Sequence, residues 1–180
     1  MPADFAYANI HSMSAYKARA ISLKTAPFAE ADKMVTLFTR EHGKIRALAK
    51  GARRVPSRLG GRVESFTYSD LYIAKGRSLD IISQCEVMES FQSLRNEAET
   101  LKVGLYLLKL VDAGTSEGQH HPELFDLLLK GLLTLKQKID PRRIELRFEK
   151  AFLRLEGIYR EGIEPKYVLS EHMGVDLSKW

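Results

Sequence analysis

From Tyr16 onward, apolar and polar positions alternate with a period of two. In YKARAISLK, Lys17, Arg19, Ile21 and Leu23 fall on one side and small residues on the other, the spacing of an extended strand. TAPFAEAD reads as a loop. KMVTLFTR, rich in β-branched and aromatic residues, reads as a second strand ending at the turn EHG, and KIRALAK as a third stopping at Gly51. After the loop GARRVPSRLGGR come SFTYSDLYIA, the tight turn KGRS and LDIISQCEVM. Beyond Glu89 the period lengthens. Leu101, Leu105, Leu108 and Val111 follow helical spacing, with Gly114 or Gly118 as a stop. Pro122 opens a second helix, whose Leu124, Leu128, Leu132 and Leu135 make an apolar stripe. Asp140 caps a third and Pro141 starts it. Ile144, Phe148, Ala151 and Leu155 line its apolar face, and Gly157 ends it. The segment beyond Gly157 holds one short helix.

Five short strands with glycine-bearing turns, then helices joined by short connections, predict an α+β chain. The strands are expected to be antiparallel and to close into a small barrel of the OB-fold type at 15–90. An all-helical bundle is expected at 91–180. Residues 1–14 lack periodicity and are read as a loose leader. With Asp4 and no basic residue, they do not resemble a signal peptide.

Charge sharpens this picture. Residues 1–90 hold 14 Lys and Arg against 9 Asp and Glu, and residues 91–180 hold 14 against 14, so the net +5 belongs to the first half. It concentrates between Arg40 and Arg77, where ten basic residues face only Glu41, Glu64 and Asp70. Such asymmetry points to a surface for a polyanion. No run approaches the ~20 apolar residues of a membrane span, so no membrane is expected. One cysteine, Cys85, excludes an intrachain disulfide and a thiolate metal cluster, and suits a reducing cytoplasm.

Catalytic constellations are missing from the sequence. There is no phosphate-cradling glycine loop ending in Lys-Ser/Thr and no Gly-x-Ser-x-Gly elbow. The histidines are scattered, and Cys85 reads as a small core residue. The chain is expected not to be an enzyme and to hold no cofactor and no metal.

Basic residues carry the expected function. On a strand, side chains two apart share a face. Lys44, Arg46 and Lys50, with Leu48 among them, therefore point one way, and Ile45, Ala47 and Ala49 the other. The second set suits a barrel interior and the first a row of exterior cations. Arg40 precedes this row, the following loop adds Arg53, Arg54, Arg58 and Arg62, and the turn KGRS adds Lys75 and Arg77. OB-folds bind nucleic acid on the face of their second and third strands and the adjoining loops. Base stacking also needs exposed rings. Phe38, Tyr68 and Tyr72 are candidates, each expected to be core before platform.

The stretches YKARAISLKT, EADKMVTLFTREHGKIRALAKGARR, SRLGGRVESF, GRSLDIISQCE and PELFDLLLKGL resemble the RecO family, over roughly Tyr16 to Gly157. That resemblance implies an OB-fold followed by helices, in a bacterial, cytoplasmic, nucleoid-associated protein of DNA repair and DNA recombination after DNA damage. It implies binding of single- and double-stranded DNA, strand annealing, partnership with RecR and, indirectly, assistance to RecA. Two further readings stay open: an RNA-binding OB-fold protein, and an interaction scaffold whose bundle recruits a partner. Many members carry a cysteine cluster after the third helix, and FEKAFLRLEG here is followed by none. The family also implies docking of the acidic C-terminal tail of the single-stranded-DNA-binding protein on the helices. Arg143, Arg147 and Lys150 share a stripe of the third helix, with Phe148 at its flank. These four residues are expected to receive the tail, unless Glu145, Glu149 and Glu156 pair with the arginines.

Overall fold

The computed structural model describes residues 14–180, so all but the last residue of the leader read at 1–14 lies outside the described residues. By their contacts, residues up to Thr39 with Ile45–Ser90 form one unit, and Arg40–Lys44 with Phe91–Trp180 form a second.

β1 (Ala15–Phe28), β2 (Asp32–Thr39), β3 (Gly43–Ala49), β4 (Tyr68–Ala74) and β5 (Asp80–Glu89) close in the order β1-β2-β3-β5-β4, and all of them but Gly43 and Lys44 of β3 belong to the first unit. This is the barrel that the alternation implied, with one correction. β3 pairs with β5 in parallel, through Ala47 with Asp80 and Leu48 with Ile81, while β1 pairs antiparallel with both β2 and β4. Closure of a five-stranded sheet in this order forces the odd pairing.

Small residues point inward. Ala18, Ala20, Val35, Leu37, Ala47, Ala49, Leu71, Ile73, Ile82 and Cys85 form one core with Ala52, Leu59 and Val63 of the β3–β4 loop. A narrow barrel accepts alanine where a sandwich would want larger side chains. Burial also raises the pKa of the Cys85 thiol. β1 runs four residues past its expected end, through Pro27, which pairs with Lys33 in the last rungs of the β1–β2 hairpin. Proline is tolerated at such a strand end.

The second unit contains α1 (Ala98–Gly114), α2 (Pro122–Leu135), α3 (Pro141–Leu155) and a short α4 (Pro165–Met173). The Asp140 side chain accepts from the Arg142 amide at 3.0 Å, capping α3. Gly157, at φ +71°, turns the chain out of α3 in the left-handed conformation that glycine adopts most readily.

The buried face of α3 differs from the stripe expected. Ile144, Phe148, Phe152 and Leu153 are buried, whereas Leu155 is 41% exposed. The carboxylates expected to pair with the arginines do something else. Glu149 is buried and accepts from the Tyr106 hydroxyl at 2.6 Å. Glu145 pairs with Lys166 at 2.6 Å, and Glu156 lies 3.1 Å from His121 Nε2. Burial pushes the Glu149 carboxyl up to about 7, and neither the Tyr106 hydrogen bond nor the nearby Lys166 charge cancels it.

Candidate nucleic-acid interface

Alternation along β3 is sharp where it leaves the turn behind. Ala47 and Ala49 are fully buried, and Arg46 and Lys50 are exposed. Leu48, placed by its spacing with the cations, is 8% exposed. The parallel pairing of Ala47 with Asp80 brings Arg46 beside the end of the β4–β5 turn, where Lys75 and Arg77 are exposed.

That turn is tightly built. The Gly76 amide donates to Asp80 Oδ1 at 3.2 Å, and the other Asp80 oxygen accepts from the Tyr16 hydroxyl. A Cβ on Gly76 would stand 1.8 Å from the Leu79 carbonyl oxygen, so only glycine fits.

At its other end β3 enters a loop stitched to the β1–β2 turn. The Gly51 amide donates to Asp32 Oδ1 at 2.7 Å. The Arg53 amide donates to the Ala31 carbonyl at 2.8 Å, and its guanidinium to the Ala29 carbonyl at 3.0 Å. Ser57 Oγ accepts from the Leu59 and Gly60 amides at 3.2 and 3.0 Å, and Leu59 is seated in the core. Between these anchors Arg54 and Arg58 are exposed. Arg62 is exposed too, though its guanidinium donates to the Cys85 carbonyl at 3.4 Å. Arg53 thus holds a turn as well as presenting charge.

Arg40 and Lys44 are engaged within the helical unit. Arg40 grips Asp126 of α2 with both Nε and Nη2, at 2.9 and 3.0 Å. Lys44 Nζ donates to the Asp112 carbonyl at 2.6 Å and to its carboxylate at 3.2 Å. Of the three candidate rings, Phe38 is fully buried, Tyr68 is half-buried and Tyr72 is 40% exposed, with the Lys17 ammonium 5.2 Å from its centre.

On the helices, a groove of about 280 Å³ lies between α2 and α3. Leu127, Ile144, Phe148 and Ala151 give it an apolar lining, and Lys130 and Arg147 add positive charge. Phe148 is 2% exposed, so it shapes the groove from below. Arg143 is exposed and Lys150 half-buried, and neither is among the lining residues. Lys130, on the facing helix, is the cation that the stripe on α3 did not reveal.

Residues 13–91 match the family model "Recombination protein O N terminal", and residues 95–161 match "Recombination protein O C terminal". The chain belongs to the RecO family. Similar relatives carry the name DNA repair protein RecO. One from Alkaliphilus metalliredigens is 40% identical over 143 residues, covering 79% of this chain and 58% of the relative. One from Pelotomaculum thermopropionicum is 44% identical over 123 residues, covering 68% and 48%. A third, from a Cyanothece strain, is 41% identical over 153 residues, covering 85% and 51%. The chain spans about half the length of the RecO relatives it matches. The N-terminal RecO match takes in the whole barrel, and the C-terminal match takes in α1 to α3. Among the described residues, no group of three or more His, Cys, Asp or Glu is placed to hold a metal ion. No described helix is long and apolar enough to cross a membrane.

Proposed function

We propose that this chain binds DNA through its barrel, without catalysis, as a mediator in DNA repair and recombination. One observation carries the reading. Arg46, Lys50, Arg54, Arg58, Lys75 and Arg77 are all exposed, on β3 and on two loops of the same barrel. The cations of such a surface replace the counterions condensed on nucleic-acid phosphates, which makes binding tolerant of sequence and steeply dependent on salt. A cationic track of this kind accepts single strands and duplex alike. It also lowers the repulsion between two complementary strands brought to it, which is the physical requirement for annealing. RecR and RecA enter as partners through the family. The groove between α2 and α3 suits the acidic, hydrophobic-ended tail of the single-stranded-DNA-binding protein. Lys130 and Arg147 meet carboxylates there, and the apolar lining takes the terminal ring.

The test is titration of fluorescent single-stranded DNA at several salt concentrations. Each phosphate neutralised should steepen the fall of log affinity with log salt by ~0.7. Replacing Arg46, Lys50 and Arg54 together by glutamate should weaken binding and flatten that slope. Arg53 is left in place because it holds the β1–β2 turn. Unchanged affinity and slope would move the interface off β3. A matched RNA oligonucleotide in the same assay separates the RNA-binding alternative.

A further inference from the structure

Two apolar side chains stand out of the barrel at the stitched end of β3. Phe28, the last residue of β1, is 40% exposed, and Val55, in the β3–β4 loop, is 98% exposed. Scattered apolar residues on a surface are ordinary, but these two sit on segments that the structure ties together. Arg53, two residues before Val55, bonds through its amide and its guanidinium to Ala31 and Ala29, immediately after Phe28. Ala29 adopts φ +49°, a left-handed conformation costly for alanine, and its carbonyl is the one that the Arg53 guanidinium holds. The hairpin end that presents Phe28 is thus fixed in shape by the loop that presents Val55.

Cations lie along the loop that carries Val55. Lys50, Arg53, Arg54 and Arg58 are exposed on the same loop and its entry. Glu30, exposed in the β1–β2 turn, repels phosphate and leaves the arginine side as the course for a backbone. Tyr72 is also exposed but is placed differently. It pairs in register with Lys17 and Gln84, next to a row of Arg19, Asp70 and Glu86, and its ring already carries Lys17.

We propose that Phe28 is a stacking platform for an unpaired base, flanked by Val55, with Lys50, Arg54 and Arg58 taking the adjoining phosphates. This rests on the reading of the barrel as a DNA-binding surface and adds to it a preference for single strands. In duplex the bases are already stacked on one another, so a surface ring has no base face to meet. Phosphate contacts, by contrast, serve both forms.

The experiment compares single-stranded DNA with duplex of the same sequence at fixed salt, for the 180-residue chain and for Phe28→Ala, Phe28→Tyr and Val55→Ser. Loss of one stacked base is expected to lower single-strand affinity about fivefold or more. Duplex affinity and the salt slope should stay where they were, and Phe28→Tyr should retain parental binding. Val55→Ser, at a position with almost no contacts to lose, should shift single-strand binding in the same direction and decides the matter if Phe28→Ala fails to fold. The proposal is overturned if the variants bind single strands as the parent does, or lose duplex equally. If the parent binds neither form, the DNA-binding reading falls along with it. If the parent binds and the variants match it, only the platform falls.

Discussion

Glutamine in place of Glu149 is expected to remove a pH-dependent loss of stability. In the folded chain this carboxyl is buried against Tyr106 and its pKa is raised from 4.5 to about 7. The folded state therefore holds the proton more tightly than the unfolded chain does. The resulting stabilisation is complete below about pH 4.5, declines as pH rises, and is gone above about pH 7. A shift from 4.5 to about 7 corresponds to about 3 kcal/mol. The steepest decline is about 1.4 kcal/mol per pH unit. Glutamine keeps an oxygen to accept from the Tyr106 hydroxyl and cannot ionise. Urea unfolding of both proteins between about pH 5 and about pH 8 gives the difference in stability at each pH, and titrations common to both cancel. The variant should gain on the parent by most of that figure across the range. A difference that stays constant with pH would show that Glu149 ionises as easily inside the fold as outside it, and the reasoning from its burial would fail.

Gly76→Ala forces a methyl group against the Leu79 carbonyl. It should cost about 1–3 kcal/mol in denaturant unfolding, as overpacking does, and weaken DNA binding by displacing Lys75 and Arg77; unfolding identical to the parent would contradict the tight turn. Lys44→Met removes the ammonium that donates to the Asp112 carbonyl and carboxylate and should lower stability by about 1–2 kcal/mol. The slope of DNA affinity against salt should not change, and a flatter slope would place Lys44 in the interface. For a labelled acidic tail peptide, Lys130→Ala with Arg147→Ala should reduce affinity about tenfold at low salt, whereas Arg143→Ala, outside the groove lining, should not. The reverse order would place the peptide elsewhere on α3.

What the sequence disclosed of the fold was whatever repeats locally. Ala47 and Ala49 alternate with Arg46 and Lys50 within a single strand, so their opposite burial could be read from spacing. The β3–β5 pairing joins residues 33 positions apart, such as Ala47 and Asp80, and no local pattern encodes it. On α3, both the set with Ala151 and Leu155 and the set with Phe152 and Leu153 fit a helical period. The contact with Tyr106, which puts Glu149 inside, decided between them. Partners in ion pairs were equally hidden. Arg40 meets Asp126 across 86 positions, and Lys44 meets Asp112 across 68. Phe28 was unreadable as an exposed ring because TAPFAEAD looked like loop throughout. Lys130 belongs to the groove only because α2 packs on α3.

The parallel rungs that close the barrel suggest how it breathes. Two paired positions join β3 to β5, against seven between β1 and β4 and eight between β1 and β2. A cylinder with so short a seam opens there before it parts between β1 and its two neighbours. Amide protons at Leu48 and Ile81 should then exchange with solvent through a smaller opening than those in the middle of β1. Arg46 sits on one lip of that seam, and Arg77 belongs to the turn that leads into the other. A nucleic-acid strand laid across both would act as a suture, and its binding should slow exchange at the seam before anywhere else in the barrel.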